Sequence, residues 1–195
     1  MKIDVRLKNV NAIQDMREAA LNTIHKKIVK DHVVSDKLFR KYLLSEHSPI
    51  RAVELRITMS DIPYYVSTHF VRHVHALHYV STNRPDRVGK ERSVNDTCTH
   101  IMDINIQALI DMSRKRLCMG KVDPDTYLIM LEIKRVMHND DNSYIKAIAD
   151  YMVPNCIYRC GCPEFKPCGF FADLRFRDID DRYSTYNGYV YVYDR

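Results

Sequence analysis

No apolar run in the chain approaches the eighteen or so residues that a membrane-spanning helix requires, and no basic-then-apolar leader opens it. Met1-Lys-Ile-Asp-Val already alternates like a strand. A cytoplasmic protein without a membrane partner is the expectation. Internal repeats and low-complexity linkers are missing as well, which argues against solenoids and tethered arrays. So is any recognised nucleic-acid-binding motif. Paired C-x-x-C motifs, the strong form of a zinc signature, are also absent. What remains is a chain of 195 residues, 46% hydrophobic, long enough for one well-filled core and too short for two generous domains. One α/β domain is expected over residues 1–175, with a tyrosine-rich tail over 176–195. The net charge of +5 suits an acidic small molecule such as a nucleotide, and equally nucleic acid.

The densest chemistry lies in residues 68–87, Thr68-His-Phe-Val-Arg72-His73-Val-His75-Ala-Leu-His-Tyr-Val-Ser81-Thr82-Asn83-Arg84-Pro-Asp86-Arg87. Arginine presents planar, bidentate donors to phosphate or carboxylate, and Ser81 and Thr82 add hydroxyls suited to a phosphate cradle. The plainer reading is a solvated basic face, but charges mixed with Phe70, Val71, Leu77 and Val80 favour ordered backbone and an anionic ligand. A second stretch, Asn105-Ile-Gln107-Ala-Leu-Ile-Asp111-Met-Ser-Arg114-Lys-Arg116, has amphipathic spacing.

Together these stretches resemble the signature of the flavin-dependent thymidylate synthases (ThyX). That signature is Arg-His-Arg, seven residues, then Ser, followed later by a helix that starts at Asn and ends eleven residues on at a nucleotide-binding Arg. Ser45-Glu46-His47 before a strand-like run adds to the likeness, which covers roughly residues 45–135. Two departures stand out. Val74 takes the place of the second Arg, and after seven intervening residues comes Thr82, with Ser81 one position early. The resemblance implies an α/β fold, a mixed sheet packed with long helices. It also implies reductive methylation of dUMP to dTMP with methylenetetrahydrofolate, FAD and NADPH in a homotetramer. On the same resemblance Arg72 and Arg116 serve catalysis, and Arg72, His73, His75, Asn105 and Asp111 hold FAD. Ser81, Thr82, Arg84, Arg87 and Arg116 hold the nucleotide. Because Val74 removes a permanent charge, which His75 restores only when protonated, a related flavoenzyme acting on another pyrimidine nucleotide is an alternative. A non-enzymatic, metal-stapled module binding RNA or DNA is another.

In chain order, Lys2–Val10 alternates as a half-buried strand, and Asn11 caps a helix over 12 to about 29 through Ile13, Met16, Ala20, Ile24 and Ile28. His25 and His32 sit among lysines and read as solvated. Ser35-Asp36 caps a short helix to Ser45. Pro49 forces residues 46–51 into a loop, in which Glu46 either frames a site or pairs with Arg51. Val53–Met59 is a strand. Asp61-Ile-Pro63 is expected to cap a helix over 64–73, residues 75–82 to form a strand, and 81–87 a loop. His100–Cys118 reads as the most convincing helix, stopped by Gly120. A helix from Asp123-Pro124, a turn at 139–142 and a short helix through Met152 follow. Tyr189, Tyr191 and Tyr193 alternate with valines, so the tail reads as an edge strand on a neighbouring subunit or as free chain.

Four of the six cysteines crowd into 156–168, which in a chain without an export signal favours metal or redox chemistry over disulfides. Cys156, Cys160, Cys162 and Cys168 are the expected ligands of one structural zinc. Iron–sulfur ligation, a three-cysteine site and metal-free thiols stay open. Cys98 and Cys118 stand alone and read as small core residues.

Overall fold

The computed structural model describes residues 1–27, 33–174 and 178–192. Ile28 and His32, and Tyr193 of the tail, lie outside them. The chain divides into two compact units, Met1–Ala108 and Leu109–Arg195. Among the described residues no helix is long and apolar enough to cross a membrane.

The first unit is built on a four-stranded sheet. Its strands are β1 (Lys2–Leu7), β2 (Glu54–Pro63), β3 (Ala76–Val80) and β4 (Thr97–Asn105), in the spatial order β1-β2-β4-β3. The α/β class holds, and the sheet, expected to be mixed, is antiparallel at each of its three pairings. Alternation explains the register. Leu55, Ile57 and Met59 of β2 and Met102 and Ile104 of β4 are buried. Ile57 stands opposite Val5 on one side and Met102 on the other, so one face carries a continuous apolar layer. Helices α1 (Ala12–Asn22), α2 (Asp36–Leu44) and α3 (Tyr64–Phe70) belong to this unit, as does a 3₁₀ turn over Ser48–Ala52. Ser35 accepts from the Leu38 amide and starts α2. Met16, Phe39 and Phe70 are fully buried.

Three sequence expectations change here. Thr97–Asn105 is a strand and not the first half of a helix. Ile101, Ile104, Ala108 and Met112 fit a helical period, but Cys98, His100, Met102 and Ile104 fit a period of two just as well. The open hydrogen-bonding edges of β2 and β3 take up that second pattern. The helix α5 proper is Ile106–Arg116, and the side-chain oxygen of Asn105 accepts from the Ala108 amide at its start. Asp61 does not cap α3. It sits at φ +57° in a bulge between Met59 and Ile62, beyond which the ladder resumes at Ile62–Cys98 and Pro63–Thr97. α1 stops at Asn22 rather than near 29, closing through Thr23–His25, with His25 at φ +52°.

In the second unit α6 (Pro124–His138) packs on α7 (Ser143–Tyr151), and α9 (Ile179–Val192) packs on α7 and on α8 (Asn155–Arg159). The tail expected to be extended is thus helical. Arg182, Tyr186 and Val190, four apart, are its buried positions. The alternating tyrosines signalled a strand only when read without those partners. Asp123 accepts from the Thr126 amide with Pro124 in the first turn, and Asn142 accepts from the Tyr144 and Ile145 amides. Both helix starts lie where the sequence places them.

Candidate functional site

α3 and β3 carry the histidine- and arginine-rich segment. After Phe70 the chain turns through residues 71–75 and enters β3 as an edge strand. The carbonyl of His73 is an acceptor only, so His78 Nε2 (3.1 Å) must bear the hydrogen it donates there. His78 Nδ1 is then left to accept from His100 Nε2 at 3.0 Å. A relay from the sheet interior therefore fixes the turn holding Arg72 and His73. His100 is fully buried, edge-on to the Phe70 ring at 6.1 Å. Burial first, and the facing His78 second, push its imidazole down to about 4.

Arg72 and His75 are exposed, and Arg72 makes no ion pair or hydrogen bond among the described residues. The same segment leaves Val74, Leu77 and Tyr79 exposed, Val74 at 82%. Apolar side chains left uncovered along a sheet edge are surface that a partner would gain by covering.

Beyond β3 the loop 81–84 and the loop back to β4, joined by the short helix α4 (Pro85–Val88), border a polar cleft of about 300 Å³. Tyr64, Thr82, Asn83, Arg84, Arg92 and Asp96 line it. Thr82, not Ser81, faces this cleft. Ser81 is consumed by the sheet, where its hydroxyl accepts from the Thr99 amide and its own amide donates to the Thr99 carbonyl, both at 2.9 Å. Thr82 Oγ1 accepts from the Arg84 amide at 3.2 Å, and Asn83 ties the loop to the Thr97 carbonyl. Gly89, at φ +70°, ends α4 in a left-handed turn that a side chain would strain.

The charge balance of the cleft is positive. Asp96, almost fully buried, is held below the usual carboxylate range by the Lys90 ammonium at 2.8 Å and by the Ser93 amide. Its charge is therefore already answered. Arg84 grips Asp86 with two bonds of 3.0 and 2.9 Å, but both groups are more than half exposed. Such a pair contributes at most about 1 kcal/mol, so an incoming dianion can capture the guanidinium. Arg92 has no partner among the described residues. Arg87 reaches Asp86 only at 3.9 Å and does not line the cleft.

Glu46, at φ +49°, accepts from the Gln107 amide group at 2.6 Å. This links the Glu-His loop to the start of α5, where a pairing with Arg51 had been the plainer expectation. Arg56 forms two 2.7 Å bonds to the nearly buried Asp103 carboxylate, with Lys8 3.2 Å away, so β1, β2 and β4 are pinned by one charge cluster.

The remaining expected residues lie in the second unit. Asp111 is paired with Arg114 at 2.7 Å, and the Arg114 guanidinium lies 3.5 Å over the Tyr158 ring. Arg116 is the last residue of α5, eleven positions after its Asn105 cap. Cys160 and Cys168 are exposed while Cys156 and Cys162 are partly covered. Among the described residues no three His, Cys, Asp or Glu side chains already stand in a metal-ready arrangement. Sequence reasoning missed Tyr64, Asn83 and Asp96 in the cleft and the His78–His100 relay. The alternation Cys98-His100-Met102 was the one signal for the relay, since it places His100 on the core face.

No family model and no curated protein matches the chain. Solved structures do, among them a UMP/dUMP methylase PolB from Streptomyces cacaoi bound with 5-Br dUMP. The likeness has a TM-score of 0.56 at 12% identity, spanning 78% of this chain and 97% of that one. At that identity the likeness lies in the fold, and this chain has the fold of that methylase.

Proposed function

We propose that the chain is a flavin-dependent pyrimidine-nucleotide methylase similar to the flavin-dependent thymidylate synthases, and that the cleft of Thr82, Arg84 and Arg92 receives the nucleotide phosphate. One observation carries this reading. A net-positive cleft opens directly after the signature segment, in a chain whose fold matches a UMP/dUMP methylase over nearly all of that protein.

The division of labour is simple. Bound FAD would supply the hydride, recharged by NADPH, and methylenetetrahydrofolate the carbon, so the protein's task is positioning and charge. Arg84 and Arg92 bind the phosphate, with the Thr82 hydroxyl as a third donor. Arg72, held at the His73 turn by the His78–His100 relay, offers a guanidinium to charge developing on the pyrimidine ring. Asn105 stays with its cap at the start of α5. The residues on the β3 edge fit a flavin. Arg72, His73 and His75 supply polar donors, and exposed Leu77 and Tyr79 supply apolar surface. A second copy of the chain would cover the rest, as the homotetramer of the resembled family implies. Val74, where that family has a second Arg, bears on substrate choice, so UMP and dUMP are compared directly.

Titration calorimetry of the purified chain with dUMP, UMP and inorganic phosphate tests the proposal, together with its visible spectrum after addition of FAD. Binding of one pyrimidine nucleotide, more tightly in the presence of FAD, is expected. A chain that binds neither nucleotide and leaves the flavin spectrum unchanged would reject it.

A further inference from the structure

Cys118, read from sequence as an isolated core residue, lines a cavity of about 250 Å³ together with Cys156, Cys162 and Cys168. All four lie within the second unit. Cys160, grouped with the others by its place in the chain, does not line it. It occupies the left-handed position at the end of α8 (φ +56°). That turn is what sorts the cysteines. The Gly161 amide bonds back to the Cys156 carbonyl at 3.0 Å, so the chain reverses at Cys160 and brings Cys162 round to the side of Cys156.

We propose that Cys118, Cys156, Cys162 and Cys168 form a tetrathiolate site for one zinc ion, with Cys160 outside it. The first support is close packing that serves no other evident purpose. A Cβ at Gly120 would stand 2.6 Å from the Cys168 Cβ and 3.1 Å from its sulfur. Only glycine at 120 lets Cys168 approach the turn bearing Cys118. That turn is itself tight, since the Cys118 carbonyl accepts from the Lys121 and Val122 amides at 3.2 and 3.1 Å.

The second support is the chemistry of the donor set. Four soft sulfur donors face one space walled by Pro163, Pro167 and Phe171, and thiolates select zinc over hard cations. Backbone amides already point at two of the sulfurs, Gly120 at Cys118 and Ile157 at Cys156. This is the hydrogen bonding that steadies a metal thiolate. The donors are not preformed at bonding distance. The cavity is accordingly roomier than sulfurs at about 2.3 Å from zinc require, and the 160–169 loop would close on the ion as the thiols lose their protons. The even spacing, five residues between Cys156 and Cys162 and five between Cys162 and Cys168, lets each arm of that loop contribute one ligand to opposite sides.

The test uses the unaltered full chain purified with zinc. Metal content is measured by atomic emission. Each thiol's reaction with iodoacetamide is then followed by mass spectrometry before and after a chelator. About one zinc per chain is expected, with Cys118, Cys156, Cys162 and Cys168 protected until the chelator is added and Cys160 labelled throughout. Cobalt(II) in place of zinc should give sulfur-to-metal charge-transfer bands that Cys118→Ser weakens and Cys160→Ser leaves alone. Zinc below about a tenth of an equivalent, protection of Cys160 in place of Cys118, or iron with sulfide at these thiols would each overturn the assignment.

Discussion

Acid should weaken this protein through the buried imidazole of His100, and the loss is open to measurement. His100 Nε2 spends its hydrogen on His78, and its Nδ1 is buried with no partner among the described residues. Protonating His100 therefore means putting a charge beside the Phe70 ring with nothing to receive it. Its folded-state value lies near 4 against an ordinary 6.5. The sign follows directly. Below pH 6.5 the unfolded chain takes up a proton that the folded chain refuses until about pH 4, so stability falls with pH across that window and no further from this source. At about 1.4 kcal/mol per pH unit the gap amounts to roughly 3 kcal/mol, and relaxation of the site reduces it to about 2. Asp96 and Asp103, whose values are held below 3.8, lose their contribution only at lower pH. The perturbation is His100→Gln, which keeps a donor toward His78 and cannot titrate. Urea unfolding followed by circular dichroism at stepped pH gives the stability of each form. The parent should lose about 2 kcal/mol more than the variant between pH 6.5 and about 4. Parallel curves would refute the reasoning and with it the tautomer assignment.

Lys134, fully buried between the Ala149 carbonyl (2.5 Å) and Asn187 (2.8 Å), is pushed by burial down to about 7 from 10.5. The unfolded lysine holds its proton through that interval, so the melting temperature should rise from pH 7 toward pH 10 and Lys134→Met should abolish the rise; an unchanged slope would contradict this. Asp103→Asn leaves Arg56 and Lys8 facing a neutral group. Because both cations are about a third exposed and can turn to water, the cost should be about 2 kcal/mol in urea unfolding rather than the 3–5 of a sealed pair. Arg84→Ala and Arg92→Ala should each weaken nucleotide binding by roughly 1.5 to 3 kcal/mol in calorimetry. Arg87→Ala, outside the cleft, should change it by less than about 0.5. Equal effects of all three would mean diffuse electrostatics rather than a site.

Local chemistry was legible wherever neighbours in the chain decide the outcome. The caps at Ser35, Asp123 and Asn142 depend on a side chain reaching an amide two or three residues away, and β1 and most of β2 follow from alternation. The motif helix from Asn105 to Arg116 could be located because its cap and its last residue are part of the pattern. What the sequence could not settle were choices between two valid periods. Residues 97–105 satisfy both helix and strand spacing, and only the waiting edges of β2 and β3 resolve them. Tyr189 and Tyr191 alternate like a strand, yet buried Arg182, Tyr186 and Val190 make that segment a helix. The sites divide in the same way. Thr82 and Arg84 stand two apart and were visible together. Tyr64 and Asp96 join them only because a loop between β3 and β4 folds back on α3. Cys118 reaches Cys156 across thirty-eight positions, a separation at which spacing carries no information and packing against Gly120 carries all of it.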